Sequence, residues 1–323
     1  MGAPGRVCHT KGRSFDEFHA ADFKAADNPV AAALGRRATG ARQRTSMAPS
    51  EIAEAPIPSV HSDLDLWLHF NRSVAFESEE NLRNVAPFPP PDIMHNSSGC
   101  KTNQDFAAHG ADIFAALSRS SPKPLANFDC WLDFGVGVGR LARMFKGFRG
   151  RYIGVDVDPR NIDWISRHLP WVDAVQTEPR RPLPLAAATF NAVSSVSVFT
   201  HMNEEDHAFY LSELKRVCLS GAYLFLTVCG ETALVRAEKE ENIRAMMAVS
   251  PNELNKARKR LESRKGFYFG IQNGHLTSRA YAYGNTFIGA SYIMRRWGSH
   301  FRVVSIWAGG IHDFQDIVVL QRR

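Results

Sequence analysis

Three glycines at alternate positions, Gly135, Gly137 and Gly139, are the most specific chemical signal in the sequence. They follow the apolar run Cys130–Phe134, which predicts a strand that ends in a glycine turn. At the carboxyl end of a strand in an open parallel sheet, glycines let the backbone approach a ligand. Glycine also supplies the positive φ angles of ordinary strand-to-helix turns. Three alternate glycines exceed what such a turn needs, which favours the ligand-binding interpretation.

The residue after these glycines separates two classes of ligand. A dinucleotide fingerprint, G-x-G-x-x-G, needs a third glycine one position later than Gly139, where this chain has Arg140. An NAD-dependent oxidoreductase therefore stays an alternative that Arg140 disfavours.

A carboxylate stands where a second strand is predicted to end. Asp156 closes the apolar run that starts at Tyr152 and lies 21 residues after Gly135. A carboxylate at this place can accept hydrogen bonds from both hydroxyls of a ribose. The alternative is a carboxylate that favours a helix N-terminus, and Asp158, directly before Pro159, fits that role better.

His201 is the candidate general base. It follows the fourth predicted strand on the edge where ligands collect, and imidazole exchanges protons near neutral pH. Its alternative is packing or hydrogen bonding at the following helix. The nearby Glu204, Glu205 and His207 match neither H-E-x-x-H nor a zinc-finger spacing, so we expect no metal.

The elements that position these residues alternate between strand and helix patterns, which predicts a parallel sheet covered on both faces. The strand-like runs are Cys130–Phe134, Tyr152–Val157, Ala174–Gln176, Phe190–Val196, Tyr223–Val228, Phe301–Trp307 and Asp316–Leu320. The connection between the last two is too short for a crossover helix, so they should be antiparallel. We predict an α/β fold: a doubly wound, mostly parallel seven-stranded sheet with an antiparallel last strand.

Helix signals accompany the strands. The spacing predicts helices over Arg140–Phe145, from the capping residue Asn203 to a stop at Gly221, and from the capping box Ser250–Glu253. Asn273-Gly274 predicts a hairpin turn.

The chain divides by pattern into four predicted regions. Residues 1–60 are predicted to be a disordered leader, and 61–126 a helical extension in two pieces. Residues 127–323 would form the main domain, with a lid insertion over 231–297. Pro87–Pro91 would separate the two helical pieces of the extension.

Composition excludes several classes of protein. The apolar content of 44% suits a globular chain, and no run of about 18 apolar residues predicts a membrane span. Without a signal peptide, and with five scattered cysteines that form no C-x-x-C pair, the chain is expected in the cytoplasm. A formal charge of +6 is too modest for a nucleic-acid coat, so we expect neither a nucleic-acid nor a membrane partner. Nothing here fixes the oligomeric state.

The glycine turn is the first of several motifs whose order along the chain resembles that of one enzyme family. Asp133–Gly139 resembles motif I of class I S-adenosylmethionine-dependent methyltransferases. Phe190–Val193 is similar to the FDxV motif of that family, with Asn191 in place of Asp. Ser197–Met202 is similar to an SVFTHL run of one bacterial branch whose enzymes act on small molecules.

Two later motifs extend the resemblance. Leu214–Gly221 is similar to LxRVLKPGG with Ser220 in place of Pro, and Gly309-Gly310 with Gln315–Leu320 resembles the closing hairpin of the same branch. The likeness runs from Asn127 to the end of the chain and is poor over residues 231–281.

The resemblance implies a Rossmann-like methyltransferase fold with S-adenosylmethionine as cofactor. The implied cofactor contacts are Asp133, Gly135, Gly137, Gly139, Arg140, Asp156, Val157 and Ser197. Asp133 would organise the loop or meet the methionine amino group. His201 would be the base, and Phe199, Tyr283 and Tyr292 would contact the acceptor, although lid aromatics more often form a small core.

The predicted function is methyl transfer to an oxygen or nitrogen of a small molecule: a metabolite, natural product or glycan precursor. An RNA methyltransferase and a non-catalytic nucleotide-binding protein of the same fold are the alternatives. Cations on the helix after Ser250 would form a solvated face or attract an acidic acceptor.

Overall fold

Seven strands form one sheet. A computed structural model describes residues 58–73, 79, 85–272 and 282–323, all within a unit that spans Ile57–Arg323. The strands are β1 Cys130–Phe134, β2 Arg151–Asp156, β3 Val172–Gln176, β4 Phe190–Ser195, β5 Cys218–Val228, β8 Arg302–Ile311 and β9 Gln315–Gln321. Their order along the sheet is β3-β2-β1-β4-β5-β9-β8. Only β9 runs against its neighbours β5 and β8, which confirms the predicted mostly parallel sheet with an antiparallel last strand.

Helices flank the sheet, and a second small sheet lies within residues 231–297, the segment predicted to be a lid and called the lid below. The helices are α1 Leu64–Ser73, α2 Pro91–Ser98, α3 Asn103–Ser120, α4 Pro159–His168, α5 Glu204–Val217, α6 Glu231–Lys239, α7 Glu241–Met246, α8 Pro251–Glu262 and α9 Ala290–Arg296. In the lid, β6 Phe267–Ile271 pairs antiparallel with β7 Gly284–Ile288. The predicted turn at Asn273-Gly274 lies outside the described residues.

Both faces of the main sheet are buried. Successive side chains of β1 enter different cores: Trp131 packs in one and Leu132 in the other, each with no exposed surface. Trp131 stacks on Phe225 of β5 with ring centroids 5.8 Å apart. Leu211 and Leu214 of α5 pack in the second core. A parallel sheet covered in this way leaves its strand ends as the place for a ligand.

The N-terminal extension is anchored to the domain. The buried Arg143 guanidinium donates to the carbonyl of Ala86 at 2.7 Å and lies 3.9 Å from the centroid of Phe88. Trp67 of α1 donates to the carbonyl of Met144 at 3.1 Å. The predicted second helical piece is divided into α2 and α3 at Gly99, whose φ is +72°.

Two helix predictions need correction. After the glycines there is only a 3-10 turn, Ala142–Phe145, and all four of its residues are buried. Helix α5 ends at Val217, not Gly221. Gly221, with φ +82°, lies within β5 where its pairing register with β4 shifts.

The predicted caps are confirmed. The Asn203 side chain accepts from the backbone N–H of Asp206 at 2.9 Å. Ser250 and Glu253 form a reciprocal capping box on α8, with Pro251 in the first turn. Among the described residues, none of the helices combines the length and apolar character needed to cross a membrane.

Candidate active site

The three glycines form the loop that leaves β1, and each takes a positive φ: +81° at Gly135, +56° at Gly137 and +83° at Gly139. A Cβ at any of them would also overlap a neighbouring side chain. The overlapping atoms would be Val198 Cγ2 at 2.3 Å, Ser97 Oγ at 2.3 Å and Leu169 Cδ1 at 2.5 Å, in that order. The positive φ angles favour glycine at each position, and any other residue would also displace a neighbouring side chain.

Asp156 ends β2 beside this loop. Its Oδ2 accepts from the backbone N–H of Gly137 at 2.9 Å, and its Oδ1 accepts from the N–H of Asp158 at 2.8 Å. Burial raises the pKa of the Asp156 carboxyl, although the side chain keeps some exposed surface. Asp158, in contrast, caps α4 by accepting from the N–H of Arg160 at 2.9 Å. The two neighbouring carboxylates thus divide the loop and helix-cap roles between them.

Asp133 lies beneath the loop and is 2% exposed. Tyr152 of β2 donates its hydroxyl to Asp133 Oδ2 at 2.8 Å, and Ser194 of β4 donates to Oδ1 at 2.9 Å. Burial raises the pKa of this carboxyl to about 6. Asp133 therefore links three strands, and its predicted contact with a cofactor stays a prediction.

The end of helix α2 covers the glycine loop, a feature the sequence reasoning missed. Ser97 Oγ accepts from the backbone N–H of Val138 at 3.2 Å, and Arg140 donates to the carbonyl of Ser98 at 3.4 Å. The run of small polar residues at the end of α2 carries no spacing signal that distinguishes it from an ordinary helix end.

Ser197 follows β4 with a φ of +60°, a conformation that costs a non-glycine residue free energy and concentrates at functional sites. Its N–H donates to Thr227 Oγ1 of β5 at 2.8 Å, and Gln315 Nε2 of β9 donates to its hydroxyl at 2.9 Å. Three strand ends thus converge on one residue. Thr227 was not predicted, while Gln315 lies in the closing-hairpin motif. Val157, beside Asp156, is half-buried.

His201 ends a 3-10 turn, Phe199–His201, after β4. Its Nδ1 lies 2.9 Å from the carbonyl oxygen of Gly284 in β7, so Nδ1 is the protonated donor. In the neutral ring Nε2 is then the nitrogen able to take a proton. The ring stacks on Tyr283, with centroids 4.6 Å apart and planes at 13°. His201 therefore meets the lid instead of the following helix.

Two of the three residues predicted to contact the acceptor, Phe199 and Tyr292, are buried. Phe199 has no exposed surface and packs against Phe134 and Trp297, because the 3-10 turn directs it into the core. Tyr292 is 5% exposed, and its hydroxyl donates to Glu204 Oε1 at 2.7 Å. Of the three predicted residues, Tyr283 alone keeps a place beside His201.

In the part of the chain that the structure describes, no group of three or more His, Cys, Asp or Glu side chains is placed to hold a metal ion.

The site is an acidic strand end beside a glycine loop, at the point where the sheet order reverses between β1 and β4. A family model for a methyltransferase domain matches residues 132–226, from β1 to β5. The chain contains a methyltransferase domain over this segment. The glycine loop and Asp156 both lie inside the matched residues. Methyltransferases of this fold take their methyl group from S-adenosylmethionine.

Three solved structures resemble the methyltransferase domain at low sequence identity. The PH0226 protein from Pyrococcus horikoshii OT3 is 13% identical, with a TM-score of 0.47, over 76% of this chain and 100% of its own. The Burkholderia thailandensis 1,6-didemethyltoxoflavin-N1-methyltransferase is 14% identical, with a TM-score of 0.46, over 73% and 92%. Human N-acetylserotonin methyltransferase is 14% identical, with a TM-score of 0.43, over 80% and 65%.

Proposed function

We propose that this methyltransferase domain transfers the methyl group of S-adenosylmethionine to an oxygen or nitrogen of a small molecule: a metabolite, natural product or glycan precursor. The observation that carries the proposal is the Asp156 carboxylate, bonded to the glycine loop and still partly exposed. A small-molecule acceptor is supported by the likeness of Ser197–Met202 to the SVFTHL run. A cytoplasmic location and the lack of a nucleic-acid partner stay predictions.

The donor side fits an adenosyl group. The Asp156 carboxylate accepts internal hydrogen bonds from the N–H groups of Gly137 and Asp158 and from the side chain of Asn161. A carboxylate offers about four acceptor positions, so it keeps capacity to accept from a ribose hydroxyl. The proposed cofactor contacts are Gly135, Gly137, Gly139, Arg140, Val157 and Ser197, with Asp133 supporting them from below.

The cofactor supplies an activated methyl group, so the protein mainly has to bind and orient the reactants. Positioning of aligned reactants accounts for ~7–11 kcal/mol of the barrier in favourable systems. An oxygen or nitrogen acceptor must also lose a proton, and a positioned base contributes ~10²–10⁴-fold in rate. His201 Nε2 would take that proton, because Gly284 holds the tautomer in which Nε2 is basic. Tyr283 would position the ring.

Titration calorimetry with S-adenosylhomocysteine tests the donor side. We expect Asp156→Ala to weaken binding roughly tenfold or more, since it removes a charge-assisted hydrogen bond. Asp158→Ala is the matched control: it removes a carboxylate two residues away that serves the cap of α4. Undiminished affinity in Asp156→Ala would refute the ribose assignment, and no binding to wild type would refute the cofactor.

Radiolabelled methyl transfer tests the acceptor side. Label from S-adenosylmethionine should be retained in the small-molecule fraction of a cell extract, and label found in RNA instead would contradict the proposal. A non-catalytic protein would label nothing. We expect His201→Gln to slow transfer by ~10²-fold or more with S-adenosylhomocysteine affinity unchanged. Equal rates in His201→Gln and wild type would remove His201 as the base.

A further inference from the structure

A cavity of about 560 Å³ opens in the lid, between the second half of α8 and strand β6. Its volume falls in the usual range for small-ligand sites. The pairing of β6 with β7 fixes its place: Phe269, which lines the cavity, pairs with Thr286, two residues along β7 from Gly284, the residue that His201 contacts. The cavity therefore opens on the lid near the proposed base. Its lining includes neither His201 nor any residue of the glycine loop.

The wall formed by α8 is strongly basic. Lys256, Lys259 and Arg260 line the cavity at the i, i+3 and i+4 spacing that brings side chains to one helix face. All are exposed, and no ion pair joins them to any acidic residue among the described ranges. Arg258 is the contrast, since it pairs with both Glu231 and Glu238 at another face of the same helix. The cavity lining thus carries an excess of positive charge, with Glu253 of α8 as a further carboxylate beside Tyr268.

The opposite wall is aromatic. Tyr268 and Phe269 of β6 are half-buried and present ring surface to the cavity. The acidic residue at the edge, Glu204, already accepts the hydroxyl of Tyr292. Three cations and aromatic surface therefore outweigh one engaged carboxylate, which suits a ligand with negative charge on one side and an apolar ring on the other.

We propose that this cavity binds an organic anion with a planar apolar body, such as an aromatic phosphate or carboxylate, at a site distinct from the glycine loop. The cations of α8 hold the anionic group, and the ring lies against Tyr268 and Phe269. This site does not depend on the proposed methyl transfer. It gives the basic face of α8 a ligand-binding role in place of a merely solvated one.

The test is calorimetry with 1-naphthyl phosphate on the full chain. We expect Lys256→Gln with Lys259→Gln to weaken binding roughly tenfold. The control, Arg264→Gln with Lys265→Gln, removes the same charge from exposed positions just beyond α8 and should change affinity less than about twofold. The neutral 1-naphthylmethanol should bind at least about tenfold more weakly than the phosphate.

Equal weakening in the two double variants would overturn the proposal, because it would show attraction by net charge alone. So would equal binding of the neutral probe. S-adenosylhomocysteine affinity should stay unchanged in Lys256→Gln with Lys259→Gln. Its loss there would contradict a separate site, whereas loss only in Asp156→Ala concerns the donor proposal.

Discussion

The glycine loop and the lid, the two regions around the proposed active site, are stabilised by different kinds of interaction. The loop is held by backbone: positive φ at three glycines, and N–H groups donated to Asp156 and Ser97. The lid combines the backbone pairing of β6 with β7 and side-chain packing, such as that of Phe267 against Tyr292 with ring centroids 5.2 Å apart. The two regions also differ in their buried ionisable groups. The loop has the carboxyl group of Asp133 beside it, and the lid has the imidazole of His207. A region built on backbone tolerates few substitutions, while one built on packing can change its lining and so its ligand.

The largest expected effect is on the loop. Gly135→Ala should lower the free energy of unfolding by about 3–5 kcal/mol, because it adds backbone strain and an overlap with Val198. Gly221→Ala has the same strain, with φ +82°, but nothing lies within 4 Å of its Cβ. It should cost about 1–2 kcal/mol. Urea unfolding of both variants gives the comparison, and equal losses would contradict the steric argument.

The next effect concerns the lid side. His207 is 1% exposed, packs against Phe267, and donates from Nε2 to the carbonyl of Phe199 at 2.8 Å. Burial lowers its pKa from 6.5 to about 4. The unfolded chain therefore binds the proton first as pH falls, and folding should lose about 3 kcal/mol between pH 6.5 and 4. His207→Gln should remove that loss in urea titrations at several pH values.

The opposite slope is expected beneath the loop. Because burial raises the pKa of Asp133 from 3.8 to about 6, the folded chain holds the proton longer, and stability falls as pH rises through that window. The change is about 2–3 kcal/mol. Asp133→Asn should abolish this fall in stability, so that the opposite pH dependence caused by His207 is seen without it. If both variants change the pH profile in the same direction, the contrast between the two regions fails.

The sheet was predictable because its signals are local. Apolar runs, glycine turns and capping residues such as Asn203 and Ser250 place strands and helices without tertiary information. The failures occur where tertiary contacts decide. Ala142–Phe145 is buried on every side, so its apolar spacing was mistaken for a helix face. Gly221 lies where the pairing register between β4 and β5 shifts, and no local sequence pattern predicts such a shift.

The site was predictable only on its donor side. The alternate glycines and Asp156 are tied by chain order to adjacent parallel strands, whose ends must meet. Hydrogen bonds between segments far apart in the sequence could not be predicted. They join Ser97 to the glycine loop, Gln315 to Ser197, and His201 to Gly284. Phe199 shows another difficulty: its position in a motif does not tell whether the side chain faces a ligand or the core, and it is fully buried.

The Arg143 guanidinium sets a lower limit on the smallest fragment of this protein that can fold. It is 2% exposed, and it donates a hydrogen bond to the carbonyl of Ala86. A fragment that starts at β1, although it would keep every family motif, would leave this cation in the interior without that acceptor and without the ring of Phe88. Fragments for expression should therefore begin upstream of Val85.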